Sequence, residues 1–338
     1  MRHGTLPVII AALIAGLSAC TTPAGEGRPD PIDLHSISWH EIGTPGAHDP
    51  TLTRTPTGWY LYYTGHGILS KWSPDGVHWL LNGSVFDETP EWTAEYVQTP
   101  SSNIWAPDIS YVNGRYHLYY SVSTFGENDS VIGLATNATL DRESERFEWI
   151  DEGHVVSSRA GDSYNAIDPN LIIDTDGQPW LAFGSHWSGI KLVRLDRATM
   201  KPRADAELLP IAARPGSTAI EAPAMTHRDG WYYLFVSFDQ CCRGVLSTYK
   251  IAVGRSRSVD GPYVDRDGVP MLEGGGTIVL ESGERWKGPG HNAVYREGEQ
   301  YILVHHAYDG ENNGAATLRI KPIEWDDEGW PRVERRGP

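Results

Sequence analysis

Polar and apolar positions along this chain repeat in a long unit. Five times a short polar head is followed by an apolar stretch, a glycine turn and an aromatic-rich run. The heads are His48-Asp49-Pro50, Trp105-Ala106-Pro107-Asp108, Ile167-Asp168-Pro169, Ile220-Glu221-Ala222-Pro223 and Gly290-His291-Asn292. The runs are residues 59–63 (WYLYY), 116–120 (YHLYY), 180–183 (WLAF), 231–236 (WYYLFV) and 301–304 (YILV), with Gly58, Gly114, Gly177, Gly230 and Gly298 in the turns before them. Short runs of this kind predict strands buried on both faces. Counted at Pro50, Pro107, Pro169, Pro223 and Asn292, the heads recur after 57, 62, 54 and 69 residues. A strand-built unit of this length, repeated five times, predicts an all-β fold, a five-bladed β-propeller. Equivalent heads would all face one axis and bring Asp49, Asp168, Glu221 and His291 into one pocket.

The ends of the chain read differently. Arg2 and His3 precede an apolar run from Val8 to Leu17 that is too short for a stable span. Residues 1–19 are expected to be a signal peptide. Leu17-Ser18-Ala19-Cys20 resembles a bacterial lipobox, which implies a lipidated Cys20 and a place on the cell envelope, facing the periplasm or the outer surface. Residues 20–33, rich in Pro, Gly and Thr, are expected to form a flexible tether, and residues 34–338 the propeller. Leu34 to Ile42 is expected to be a strand that closes the ring against the last blade. Thr317 to Ile323, with Trp325 and Trp330, should complete that blade.

Charge narrows the partners. With 28 basic and 44 acidic residues the formal charge is −16. Such a surface disfavours nucleic acid, anionic lipid and polyanionic substrates and leaves neutral ones. Contact with a membrane is expected only through the lipid, and a monomer is the expected state. Thirteen Trp and 16 Tyr against 6 Phe favour amphipathic rings, which pack in strands and also stack on sugar faces. Apart from Cys20 the cysteines are the adjacent pair Cys241 and Cys242. Their Cα atoms must lie about 3.8 Å apart, below the usual disulfide range, so a vicinal bridge and two free thiols both stand as readings.

Asp49, Asp168 and Glu221 are carboxylates at matching places in three copies. Glycoside hydrolysis needs one carboxyl group to protonate the leaving oxygen and another to activate water or attack carbon. A third can raise the acid's pKa by like-charge repulsion.

These motifs carry a resemblance. Ala47-His48-Asp49-Pro50, Asn103 to Asp108, Ala166 to Asn170, Ile220 to Pro223 and Gly288 to Asn292 resemble the family 43 glycoside hydrolases, which are five-bladed β-propellers. Phe238 to Gly244 and Ser247 to Ile251 resemble the family's arabinanases rather than its xylosidase branch, and within the family the chain resembles the endo-α-1,5-L-arabinanases. The resemblance implies inverting, internal cleavage of arabinan. In it Asp49 matches the general base, Glu221 the general acid, and Asp168 the residue that tunes and orients the acid. His291 matches a histidine beside a bound calcium ion, often reached through water. Trp105 matches an aromatic platform under a sugar, and Phe125 is a second candidate. Asn165 and Ser185 are candidates for substrate hydroxyls. Asp108 matches a residue that holds the blade, and His48 and His227 are expected to be structural. The rival readings are an exo-acting α-L-arabinofuranosidase or β-xylosidase, and a non-catalytic glycan-binding propeller.

Overall fold

A computed structural model of the chain describes Met1, residues 29–42 and residues 46–334. The expected leader and Cys20 lie outside the described residues. Five antiparallel sheets follow one another along the chain. Blade 1 is Thr51–Thr55, Gly58–Tyr63, Leu69–Ser73 and Leu80–Ser84. Blade 2 is Asn103–Val112, Arg115–Val122, Ser130–Asn137 and Ile150–Ser158, joined at its inner edge by the short strand Gly65–His66. Blade 3 is Asn170–Ile173, Pro179–Phe183, Ile190–Arg194 and Leu208–Ala212. Blade 4 is Ile220–Arg228, Trp231–Phe238, Lys250–Ser256 and Thr277–Leu280. Blade 5 is Trp286–Glu297, Gln300–Asp309, Ala315–Trp325 and Pro331–Val333. This is the five-bladed propeller that the repeat predicts.

The second strand of each blade shows why the runs are apolar at both parities. Tyr60 and Tyr62 pack toward blade 2, whereas Trp59, Leu61 and Tyr63 pack toward blade 5. Tyr119 faces blade 3 while Leu118 and Tyr120 face blade 1. The same split separates Tyr233 and Phe235 from Tyr232, Leu234 and Val236. Alternate side chains point to opposite faces of a strand, so each blade feeds two of the five core clusters, and each cluster joins two neighbouring blades.

The ring closes without a strand from the N-terminus. Leu34–Ser36 and Trp39–Glu41 are short 3-10 turns, not the strand expected for Leu34 to Ile42. Leu34, Trp39 and Ile42 are buried at intervals of five and three residues, a spacing that no strand can present to one face. They fill the seam between Leu52 and Leu61 of blade 1 and Ile302 and Leu318 of blade 5. Backbone groups are matched there by side chains: Leu34 N–H donates to Gln300 Oε1 at 2.6 Å and Arg319 donates to Ile42 O at 3.2 Å. Blade 5 takes all four strands from the C-terminal stretch, as expected for that end. The tether's last residues are also attached: Asp33 accepts from Gln300 at 2.8 Å, and Arg54 donates to Asp30 O.

Two cavities open at opposite ends of the inner strands. The ends that follow Thr53, Tyr111, Ile173, His227 and Tyr295 surround one of about 650 Å³. The polar heads surround the other.

Candidate active site

All five heads share one backbone device. Asp49, Ala106, Asp168, Ala222 and His291 have φ of 52°, 46°, 59°, 54° and 48°, in the left-handed region that residues other than glycine rarely adopt. In blades 2, 4 and 5 the strand register breaks at this point. A bulge of this kind re-aims a side chain at a strand end.

A ring of hydrogen bonds holds these conformations. Each left-handed residue donates its N–H to a side chain of the preceding blade. Ala106 donates to Thr64 Oγ1 at 2.9 Å, Asp168 to Ser121 Oγ at 3.1 Å, His291 to Ser237 Oγ at 2.8 Å and Asp49 to His306 Nδ1 at 3.2 Å. Thr64, Ser121, Ser237 and His306 occupy one equivalent place, opposite the residue before the left-handed one. Blade 3 has Gly184 there, and a Cβ on it would come within 2.7 Å of Gly189 O. The Ala222 N–H turns instead to Asp168 Oδ2 at 3.1 Å. Asp168 therefore fills the gap in the ring and fixes the backbone next to Glu221.

The ring also corrects the register of the heads. Glu221 precedes its left-handed residue, whereas Asp49 and Asp168 are themselves left-handed. The three carboxylates are not at matching places, and Glu221 shares its position with His48 and Trp105. The proline marks this one-residue offset: Asp49 and Asp168 stand one residue before it and Glu221 two.

One cavity of about 860 Å³ gathers Asp49, Trp105, Phe125, Asn165, Asp168, Ser185, Glu221 and His291. Phe125 stands 77% exposed at its wall and Trp105 is half-buried. Asn165 is buried, with its Nδ2 donating to Glu127 O at 3.4 Å. Ser185 uses its hydroxyl proton on Glu221 Oε2 at 2.6 Å, so it serves the carboxylate and not an open hydroxyl site. His48, Thr64, His186 and Trp187 also line this cavity, and the sequence reading missed them. Adjacency to Asp49 was the available signal for His48. Asp108 lies outside, in the other cavity, and accepts from Asn170 Nδ2 at 3.1 Å and Leu171 N at 2.8 Å. It ties blade 2 to blade 3, where a local bond within its own blade was expected. His227 lines that far cavity too.

The carboxyl groups are tuned in opposite directions. Burial alone would raise Asp49, but His291, His48 and His306 override it and hold the group well below the usual carboxylate range. His291 and His306 are themselves pushed down by burial, whereas His48, against its own burial, is raised by the charge of Asp49. Asp49 Oδ1 meets His48 Nδ1 at 2.8 Å and His291 Nδ1 at 3.1 Å, and Oδ2 accepts from Thr64 at 2.6 Å. A carboxylate has about four lone-pair sites; three are occupied, and one is left for water. Glu221 is pushed up to about 7 by burial, helped by the charge of Asp49 and opposed by Ser185 and His48. Asp168 is raised well above its ordinary value by burial, then by Glu221 and Asp49. Buried like charges cannot all ionise, so this end of the site keeps a proton near neutrality.

The vicinal pair is bridged: Cys241 and Cys242 form a disulfide at the cavity wall. Near His291 the ligand atoms of His48, Asp49 and His306 lie within 4.8 Å of one another. His306 Nε2 is buried with no partner among the described residues. Calcium takes about 6–8 oxygen ligands, and this set offers one carboxylate. The residues present thus fit a calcium ion held mostly by water, not one in a protein cage.

A propeller whose axial cavity sets a protonated carboxyl against an ionised one defines a glycoside hydrolase. The chain belongs to the glycosyl hydrolases family 43, whose model matches residues 42–331. It is 49% identical to the extracellular endo-α-(1→5)-L-arabinanase 1 of Bacillus subtilis (strain 168), over 84% of this chain and 86% of that protein. An exo-1,5-α-L-arabinanase from a bovine ruminal metagenomic library superposes with TM-score 0.83 at 44% identity, over 86% of this chain and 98% of that one. The α-L-arabinanase of Cellvibrio cellulosa complexed with arabinohexaose superposes with TM-score 0.84 at 40% identity, over 86% and 96%.

Proposed function

We propose that this enzyme hydrolyses internal α-1,5-L-arabinofuranosidic bonds of arabinan with inversion. The opposed tuning of Asp49 and Glu221 within one cavity carries the reading. Glu221 protonates the leaving oxygen, and Asp49 takes a proton from the attacking water through its one open lone pair. Asp168 holds the backbone beside Glu221 through the Ala222 N–H, and the two buried carboxyls cannot both ionise, which keeps a proton on the pair. Trp105 and Phe125 stack on sugar faces, and Asn165 contacts substrate hydroxyls. The product series from debranched arabinan tests this. Mixed arabino-oligosaccharides should form in the first minutes, and a single small product from the outset overturns internal cleavage. That second outcome would support an exo-acting enzyme, a reading favoured by the likeness to the exo-1,5-α-L-arabinanase.

Two further features belong to this proposal. His291 would help to hold a calcium ion, which would supply positive charge beside Asp49. Removal of calcium with a chelator should lower both the melting temperature and turnover, and added calcium should restore them. An unchanged melting temperature and rate overturns the metal. Lipid on Cys20 anchors the enzyme to the cell envelope; globomycin-sensitive processing and labelling by palmitate would support this, and secretion without lipid would not.

A further inference from the structure

A chain of contacts runs from the cavity rim to the proposed base. Cys242 N–H donates to Tyr308 Oη at 2.8 Å. Tyr308 Oη lies 3.0 Å from His48 Nε2, and His48 Nδ1 lies 2.8 Å from Asp49 Oδ1. Tyr308 is buried. Its hydroxyl accepts from the Cys242 N–H, and the His48 ring spans Tyr308 and Asp49 with its two nitrogens. His306 stacks on the His48 ring at 4.0 Å between centroids, and Cys242 Sγ lies 4.0 Å from His48 Nε2. The imidazole is fixed by a hydrogen bond at each nitrogen and by the ring packed on its face.

The outer end of this chain depends on the disulfide. Cys242 has φ of 66°, an unfavourable conformation for a residue with a Cβ. A bond between adjacent cysteines closes a ring that contains their peptide unit, so the two residues cannot relax independently. Without it, nothing covalent keeps the Cys242 N–H directed at Tyr308. Cys242 is exposed and Cys241 half-buried, so a dithiol in solution can reach the bond.

We propose that Tyr308 and the Cys241–Cys242 disulfide are positioning elements for Asp49, acting through His48, and that opening the disulfide slows turnover. The opening is a two-electron reduction. A dithiol reagent gives up two electrons and two protons, the sulfur–sulfur bond breaks, two cysteine thiols form and the reagent closes to its own disulfide. The inference rests on Asp49 being the base of the proposed hydrolase.

The test uses the folded enzyme on debranched arabinan, with dithiothreitol or an equal concentration of its oxidised form. Reduction should lower kcat about five- to tenfold, the scale of one hydrogen bond, with little change in KM, and reoxidation should restore it. Tyr308→Phe should lower kcat similarly and make the enzyme indifferent to the dithiol. The Cys241→Ser/Cys242→Ser variant should behave like reduced enzyme, and adding Tyr308→Phe to it should cost little more, because both act on one chain. Unchanged kcat on reduction, an effect in KM alone, or multiplicative losses would overturn the proposal. An oxidised enzyme inactive on arabinan would instead overturn the proposed function.

Discussion

The heads of blade 1 and blade 4 place a carboxyl group in the same cavity and treat it in opposite ways. At blade 1, Asp49 is itself the left-handed residue, and its two oxygens meet three donors, from His48, His291 and Thr64. At blade 4, Glu221 sits one residue earlier and has one donor, Ser185, beside a second buried carboxyl. Both groups are about as deeply buried, at 8% and 9% exposed. The difference shows that burial does not assign the acid and the base here. The number of donors aimed at each carboxylate does.

The comparison breaks most visibly when either carboxylate is removed. Glu221→Gln and Asp49→Asn should each lower kcat about 10²–10⁴-fold on arabinan. The two should separate on an aryl substrate whose nitrophenolate leaves without a proton: Glu221→Gln recovers much of its loss, and Asp49→Asn does not. In the unmodified enzyme the protonated acid is the active form, so turnover should fall as pH rises through about 7. The ionised base is the active form and is held low, so the acid side should stay flat down through the usual carboxylate range.

Smaller changes sharpen the contrast. Asp168→Asn keeps an oxygen for the Ala222 N–H but removes the like charge. Its kcat should fall about 10- to 100-fold, and the alkaline limb should move to lower pH; a pH–rate profile with an unmoved limb would reduce Asp168 to a backbone support. Ser185→Ala removes the one donor that opposes the raised pKa. The alkaline limb should therefore move to higher pH, with kcat changed less than about tenfold. Asp108→Asn should affect the reaction least. Burial pushes Asp108 up to about 6, but it lies in the far cavity and clamps Asn170 and Leu171. Thermal melting should register a loss of about 1–3 kcal/mol from the mismatched Leu171 N–H, while the pH–rate profile stays in place.

Much of this was legible from one chain because each blade is contiguous and each strand is apolar at both parities. Tyr60 and Leu61 announce two buried faces before any neighbour is known. The polar heads could be found because a proline follows four of the five. Counting back from that proline sets Glu221 level with His48 and not with Asp49, an offset that matching the carboxylates by type passed over. The donor ring was not legible either. Thr64, Ser121, Ser237 and His306 are different residue types at one place, and the missing member is a glycine whose job is done by Asp168 from another strand. The 3-10 wedge at Leu34 to Ile42 shares its composition with a strand, and only its uneven spacing argues otherwise. His48 looked structural because its partners, Tyr308 and Cys242, are remote in sequence.

The seam between blades 1 and 5 bears on how the molecule is made. A blade can pair its own strands as soon as its own stretch has left the ribosome, because the one borrowed strand, Gly65–His66 in blade 2, comes from earlier in the chain. Leu34 must wait for Gln300, 266 positions later, and Trp39 for the strands that follow. Contacts of that sequence separation are the slow part of folding. The outer faces of blades 1 and 5 therefore stay uncovered until the last stretch has been synthesised, and this seam is where a nascent or thermally loosened chain first exposes aromatic surface to its neighbours.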